Sequence, residues 1–242
     1  MTDLTPRQLK ILKTIIEEHI QTGEAVGSET LDKKHNLGVS PATIRNEMVQ
    51  LTKAGYLAQP HTSAGRAPTP VALKLYIKTL MSEKQLSVAD EVAVKEKVWD
   101  YRHELDKLLS QTTRELARKT NSLAIATTDK GDLYHAGYAH LLDLPEFFDI
   151  DVTKTVFGLI EDFSSIHQIF ERALGEDSVH ILLGEEMGMQ ILTPCGMVFS
   201  NFDSPSLRGS IGILGPSRLD YPWVVPTVRY FGSLINDVLK TW

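Results

Sequence analysis

The chain has 242 residues, 42% hydrophobic and 23% charged, enough for one large domain or two modest ones with real cores. No apolar run approaches the roughly 20 residues that span a bilayer. The opening MTDLTPRQLK lacks an apolar secretory stretch, and Cys195, the only cysteine, excludes an internal disulfide, which fits the cytoplasm. The net charge of −6 hides an asymmetry: residues 1–80 hold ten Lys/Arg against seven Asp/Glu, the remainder fifteen against twenty-four. From Lys33 to Lys78 seven basic residues stand against Glu47 alone. Such a block is either a solvated face or a surface for a polyanion.

In chain order, TPRQLKILKTIIEEHIQTG predicts a helix with Thr5 as N-cap, Pro6 in the first turn and Gln8 completing a capping box. Leu9, Leu12, Ile16 and Ile20 recur at helical spacing up to Gly23. A second short helix starts at Ser28 and stops near Asn36, with Leu31 inward; LGVS is the turn. Ser40 then caps a third helix, with Pro41 in its first turn, that runs to Gly55. Ile44, Met48 and Leu51 form its apolar stripe. The opposite face carries Ala42, Asn46, Val49 and Lys53, flanked by Thr43 and Arg45. A helix that needs only solvation usually carries Glu/Lys pairs there. Small, hydrogen-bonding side chains without an acid suit entry into a major groove. After Gly55, YLAQPHTSAGRAPT reads as a hairpin with His61, Thr62, Ser63 and Arg66 at its tip. Three helices and a basic hairpin describe a winged helix-turn-helix over residues 1–80. Protein-interaction modules and RNA binders share that outline; the small outward face and the basic cluster favour DNA. Ser40, Ala42, Thr43, Arg45, Asn46, Lys53, His61, Thr62, Ser63 and Arg66 are the candidate DNA-binding residues, Thr43, Arg45 and Asn46 at base edges and Lys53 with the hairpin tip at phosphates or the minor groove.

Residues 81–120 read as one connecting helix opened by Ser87 with Asp90 three residues on. Val94, Val98, Tyr101, Leu105, Leu108 and Thr112 follow at spacings 4, 3, 4, 3, 4, a heptad seam widened by Leu109 and Leu116. Such a seam either packs on its own domain or joins two chains; a two-fold operator requires a two-fold protein, so the seam is assigned to a homodimer. In residues 121–242, SLAIATT, LYHAGYAHLL, VHILLGE, MQILTPCGMVFSNFD and GSIGILGPS read as strands. Ser164 to Leu174 reads as an amphipathic helix ending at Gly175, and VPTVRYFGSLINDVLKTW as the last helix with Pro226 in its first turn. The fold class is α+β with a mainly antiparallel sheet.

The pieces VSPATIRNEMVQLTKAGYLAQPHTSAGRAPT and GILGPSRLDY resemble the HrcA family of bacterial repressors of heat-shock chaperone operons. The resemblance implies a homodimer on an inverted-repeat operator in double-stranded DNA, an active form maintained by the chaperonin GroEL, and a GAF-like C-terminal sensor domain. The chain departs from the family between LARKTNSLAIATT and YAHLLDLPEF, where little more than DKGDLYHAG stands in place of further sheet residues and an inserted dimerisation domain. A shortened member is therefore expected, with dimer contacts on residues 87–119 and the remaining sheet.

No catalytic, metal or cofactor site is expected. The eight histidines are scattered, none in a ligand cluster; Cys195 has no local histidine; Glu185 and Glu186 are neighbours that point apart; and GILGPSR is neither a Walker loop nor G-x-G-x-x-G. Two other readings compete with a repressor. One is a ligand-gated regulator whose C-terminal domain senses a small molecule. The other is an interaction module that binds a chaperone but not DNA.

Overall fold

The structure, a computed structural model, describes residues 4–61, 64–173, 177–205 and 207–240. The chain divides at Ser82/Glu83 into two units, so the segment after Glu83 belongs with the C-terminal half rather than standing as a separate connector.

In the first unit, α1 spans Pro6–Thr22. The Thr5 hydroxyl accepts from Gln8 N at 3.3 Å while Gln8 Oε1 accepts from Thr5 N at 3.0 Å, and Gly23 closes the helix at φ 75°. Helix α2 (Ser28–Lys34) is capped by Gly27, and α3 covers Pro41–Lys53. Strands β1 (Leu57–Ala58) and β2 (Ala67–Pro68) pair antiparallel, and Val26 adds a bridge to Arg66. Thr69 then caps α4 (Pro70–Leu75), a further helix beyond the three expected, which passes into a π-helical turn over Tyr76–Leu80. Ile11, Leu12, Ile15, Ile16, Leu31, Ile44, Leu51 and Tyr76 are essentially inaccessible and form the core of this unit.

The second unit corrects the expected single connecting helix. Helix α5 spans Val88–Trp99 and α6 spans Leu105–Thr120, separated by a turn at residues 100–104. Lys119 pairs with Asp90, and Lys97 Nζ lies 3.0 Å from Glu115 Oε1, so α6 folds back antiparallel on α5. Burial pushes the Glu115 carboxyl upward, but hydrogen bonds from Arg118 and Lys97 outweigh it and hold its pKa below the usual carboxylate value. The seam is corrected as well. Val94, Val98, Leu108 and Thr112 are wholly inaccessible within the single chain, and Tyr101 and Leu105 are half-buried at the turn. A side chain already packed on its own fold is not free to mesh with a partner helix.

Strands β3 (Leu123–Thr128), β4 (Leu133–Ala136), β5 (His180–Leu183), β6 (Cys195–Ser204) and β7 (Leu207–Pro216) form one antiparallel sheet in the order β4-β3-β7-β6-β5. Two expected strands are shorter than read. LYHAGYAHLL ends as a strand at Ala136, because Gly137 turns at φ 84° into a 3₁₀ turn over Tyr138–Leu141. MQILTPC enters the sheet only at Cys195, after a 3₁₀ turn at Gln190–Leu192 and Pro194.

Helix α7 (Ile150–Glu161), capped by Asp149, comes in addition to the expected helices; α8 covers Phe163–Phe170, and the expected end at Leu174 and Gly175 lies outside the described residues. These two helices cover one sheet face, where Leu123, Ile125, Met197, Phe199 and Leu214 meet Val152, Val156, Ile166 and Phe170. Helix α9 covers the opposite face, where a Cβ on Gly232 would lie 2.3 Å from Ser200 Oγ, so the absence of a side chain there sets the depth of packing.

Helix α9 spans Tyr221–Leu239 and starts a turn earlier than expected, leaving Pro226 in its interior. Proline has no N–H for the carbonyl four residues back. That carbonyl, of Pro222, instead accepts from Lys84 N at 2.7 Å. The GPSRLDY segment links the sheet to this helix. Arg218 reaches Glu146 with Nε–Oε1 2.5 Å and Nη2–Oε2 3.1 Å, joining two stretches that are 72 residues apart.

Candidate nucleic-acid interface

Helix α3 begins at a well-formed cap. Ser40 Oγ accepts from Thr43 N at 3.2 Å and lies 3.0 Å from Thr43 Oγ1, so both hydroxyls are engaged in starting the helix. Ile44, Met48 and Leu51 face the core. Glu47, the only acid in the basic block, is also turned inward and is 8% exposed. Its Oε1 accepts from Arg7 Nε at 2.7 Å and its Oε2 from Gln8 Nε2 at 3.0 Å, which fixes α3 to the start of α1. The outward face is left with Ala42, Arg45, Asn46 and Lys53 exposed and Thr43 and Val49 half-buried. Among the described residues no carboxylate pairs with Arg45 or Lys53. Their charges therefore face solvent rather than internal partners.

The hairpin is less uniform. His61 is exposed at its tip; Thr62 and Ser63 lie outside the described residues. Arg66 is half-buried and engaged. Its backbone exchanges two 2.9 Å hydrogen bonds with Val26, and its guanidinium donates to Thr52 Oγ1 at 3.1 Å and Gly65 O at 3.3 Å. It ties the hairpin to the last turns of α3, besides the contact with phosphates or the minor groove that the sequence leads one to expect. Gly65 makes the close approach possible, because a Cβ there would sit 2.3 Å from Val26 O. A glycine between Ala64 and Arg66 was the only sequence sign of that bridge.

A second polar cluster fastens α2. The Glu18 side chain, 5% exposed, accepts from Lys34 and lies 2.9 Å from His35 Nε2. The hydrogen bond from Lys34 and then that of His35 hold its pKa below 4.5, with burial opposing them. A depressed carboxylate contributes stability above its unfolded value that is lost as pH falls through its folded value. Melts of the protein followed by far-UV circular dichroism should therefore show the first unit losing stability below pH 4.5, and Glu18→Gln should flatten that dependence.

The groups weighed for catalysis are dispersed. Cys195 is buried in the core and its thiol is pushed up to about 12, by burial first and then by the Glu146 carboxylate. Glu186 accepts from Leu183 N at 3.0 Å, while Glu185 points to solvent. Among the described residues no three His, Cys, Asp or Glu side chains converge as metal ligands, and no helix is long and apolar enough to cross a membrane.

The family model of the HrcA protein C-terminal domain matches residues 68–225. The heat-inducible transcription repressor HrcA of Clostridioides difficile strain 630 is 28% identical, covering 97% of this chain and 99% of its own. That of Symbiobacterium thermophilum is 26% identical, with 96% and 98% covered. The alignment to the first runs over 336 positions, more than the 242 residues present, so a long stretch of the relative has no counterpart here. A crystal structure described only as a hypothetical protein shares the fold, with a TM-score of 0.77 at 17% identity over 99% of both chains. The chain is a transcription repressor. It belongs to the HrcA family.

Proposed function

We propose that residues 4–80 are a winged helix-turn-helix and that the protein represses by laying α3 in the major groove of its operator. The observation that carries this reading is the outward face of α3. Arg45, Asn46 and Lys53 stand exposed beside the small Ala42, while the one acid of the block is bound by Arg7 and Gln8 on the inner side. Bulk and negative charge are thereby kept from the surface that approaches phosphates. Asn46 and Arg45, with Thr43 beside them, read base edges; Lys53 and His61 hold the backbone. Arg66 acts by positioning the wing.

Replacing Asn46 by alanine is expected to cost about 1–3 kcal/mol and relax preference at one base pair, whereas Lys53→Ala weakens all sequences alike. Mobility-shift titrations on a site recovered by selection from random DNA test both. Unchanged affinity of the Asn46 variant removes the proposed orientation of α3.

The operator is an inverted repeat of heat-shock chaperone genes, met in the cytoplasm by a homodimer whose contacts lie outside the Val94–Thr112 seam. The second unit, renumbered from its own first strand, has sheet order 2-1-5-4-3 with helices on both faces, which supports a GAF-like sensor shortened by the missing stretch. GroEL is the expected chaperone partner. Light scattering of the purified protein with and without operator tests the dimer.

A further inference from the structure

The face of the sheet under α7 and α8 is apolar through Ile125, Gly212 and Phe199, a row paired across β3, β7 and β6. One step on, the row becomes Thr127, Ser210 and Asn201. At this change a cleft of about 390 Å³ opens between the strand ends and α8, within the size range of small-molecule sites. Ser210 Oγ lies 2.8 Å from Asn201 Oδ1, and Asn201 Nδ2 lies 3.4 Å from His180 Nε2, so these two floor residues are internally bonded. Thr127 is not. It is 1% exposed, yet its hydroxyl has no hydrogen-bond partner among the described residues. No fully enclosed side-chain nitrogen or oxygen there lacks a partner, so this hydroxyl is the part of Thr127 that opens to the cleft it lines. A hydroxyl that opens to the cleft with no protein partner has its lone pairs free to accept from a ligand donor.

The charge of the rim selects the ligand. Among the described residues Asp129, Glu171 and Asp203 line the cleft together with Arg208, whose Nε lies 3.1 Å from Asp203 Oδ1, and His167, whose Nε2 lies 3.3 Å from Glu171 Oε1. The cleft thus holds an excess of carboxylates, and its Phe170 wall is apolar. The carboxylates do not converge on a point as metal ligands would. We propose that this cleft binds a small amine-bearing cation, its ammonium group facing Glu171 and Asp129 and accepted by the Thr127 hydroxyl. The site lies wholly within the second unit and is independent of the DNA-binding reading.

Isothermal titration of the full chain with 1,4-diaminobutane, erythritol and succinate tests it. Saturable binding of the diamine at one per chain is expected, with neither the neutral polyol nor the dianion binding. Thr127→Val and Glu171→Gln should each weaken the diamine about tenfold, as expected for a lost hydrogen bond to a charged group. Both variants should keep the parent's melting temperature and operator affinity; if Thr127→Val fails to fold, the exposed Glu171→Gln carries the test. Absence of saturable diamine binding, equal binding by the variants, or preference for succinate or erythritol overturns the proposal. Loss of operator binding in the parent protein would instead refute the DNA-binding reading and leave this one standing.

Discussion

Replacing Arg45 by glutamate should reduce operator affinity about a hundredfold, because a like charge set against phosphate costs several kcal/mol. The melting temperature should not move, since Arg45 is exposed and makes no ion pair among the described residues. Because Arg45 is placed at a base edge, the slope of log K on log salt should change by less than the about 0.9 that a lost phosphate contact contributes. Mobility-shift titrations at three salt concentrations read both quantities. An unchanged affinity with an unchanged slope would mean that this face of α3 does not meet DNA. The inward-facing Glu47 gives a contrasting control: its loss should loosen α3 from α1 and lower stability together with affinity.

Phe199→Ala should destabilise the second unit by about 3–5 kcal/mol, the range for emptying a fully buried aromatic site. Phe199 is inaccessible at the middle of β6, its ring 4.7 Å from that of Phe170 and 5.2 Å from that of His180. All three tryptophans lie beyond Glu83, so tryptophan fluorescence during guanidinium unfolding follows this unit rather than the DNA-binding one. A shift in midpoint equivalent to less than about 1 kcal/mol would contradict the packing of α8 on the sheet.

Local chemistry made the first unit readable. Thr5 with Pro6 and Gln8, and Ser40 with Pro41, are start signals that act within one turn, and both helices begin where those residues stand. The Ile44–Met48–Leu51 stripe separates core from solvent by periodicity alone. The family was legible for the same reason: ATIRNEM and GILGPSRLDY are runs of adjacent residues.

What escaped the sequence depends on partners distant along the chain. Nothing between Trp99 and Leu105 is a glycine or proline, so the heptad spacing runs on unbroken; the turn there lets α6 return along α5 and bury Val94, Val98, Leu108 and Thr112 in the chain itself. Pro226 reads as a helix start until Lys84 supplies the hydrogen bond its ring removes. Arg66 reads as a free cation until Thr52 and Val26 engage it, and Thr127 as an ordinary strand residue until the cleft opens beside it. The amino-acid order by itself determined the caps, the apolar stripe, the basic block and the family. Tertiary structure alone decided which charges remain free and which apolar seams are already occupied, because those outcomes rest on contacts between segments that no local spacing encodes.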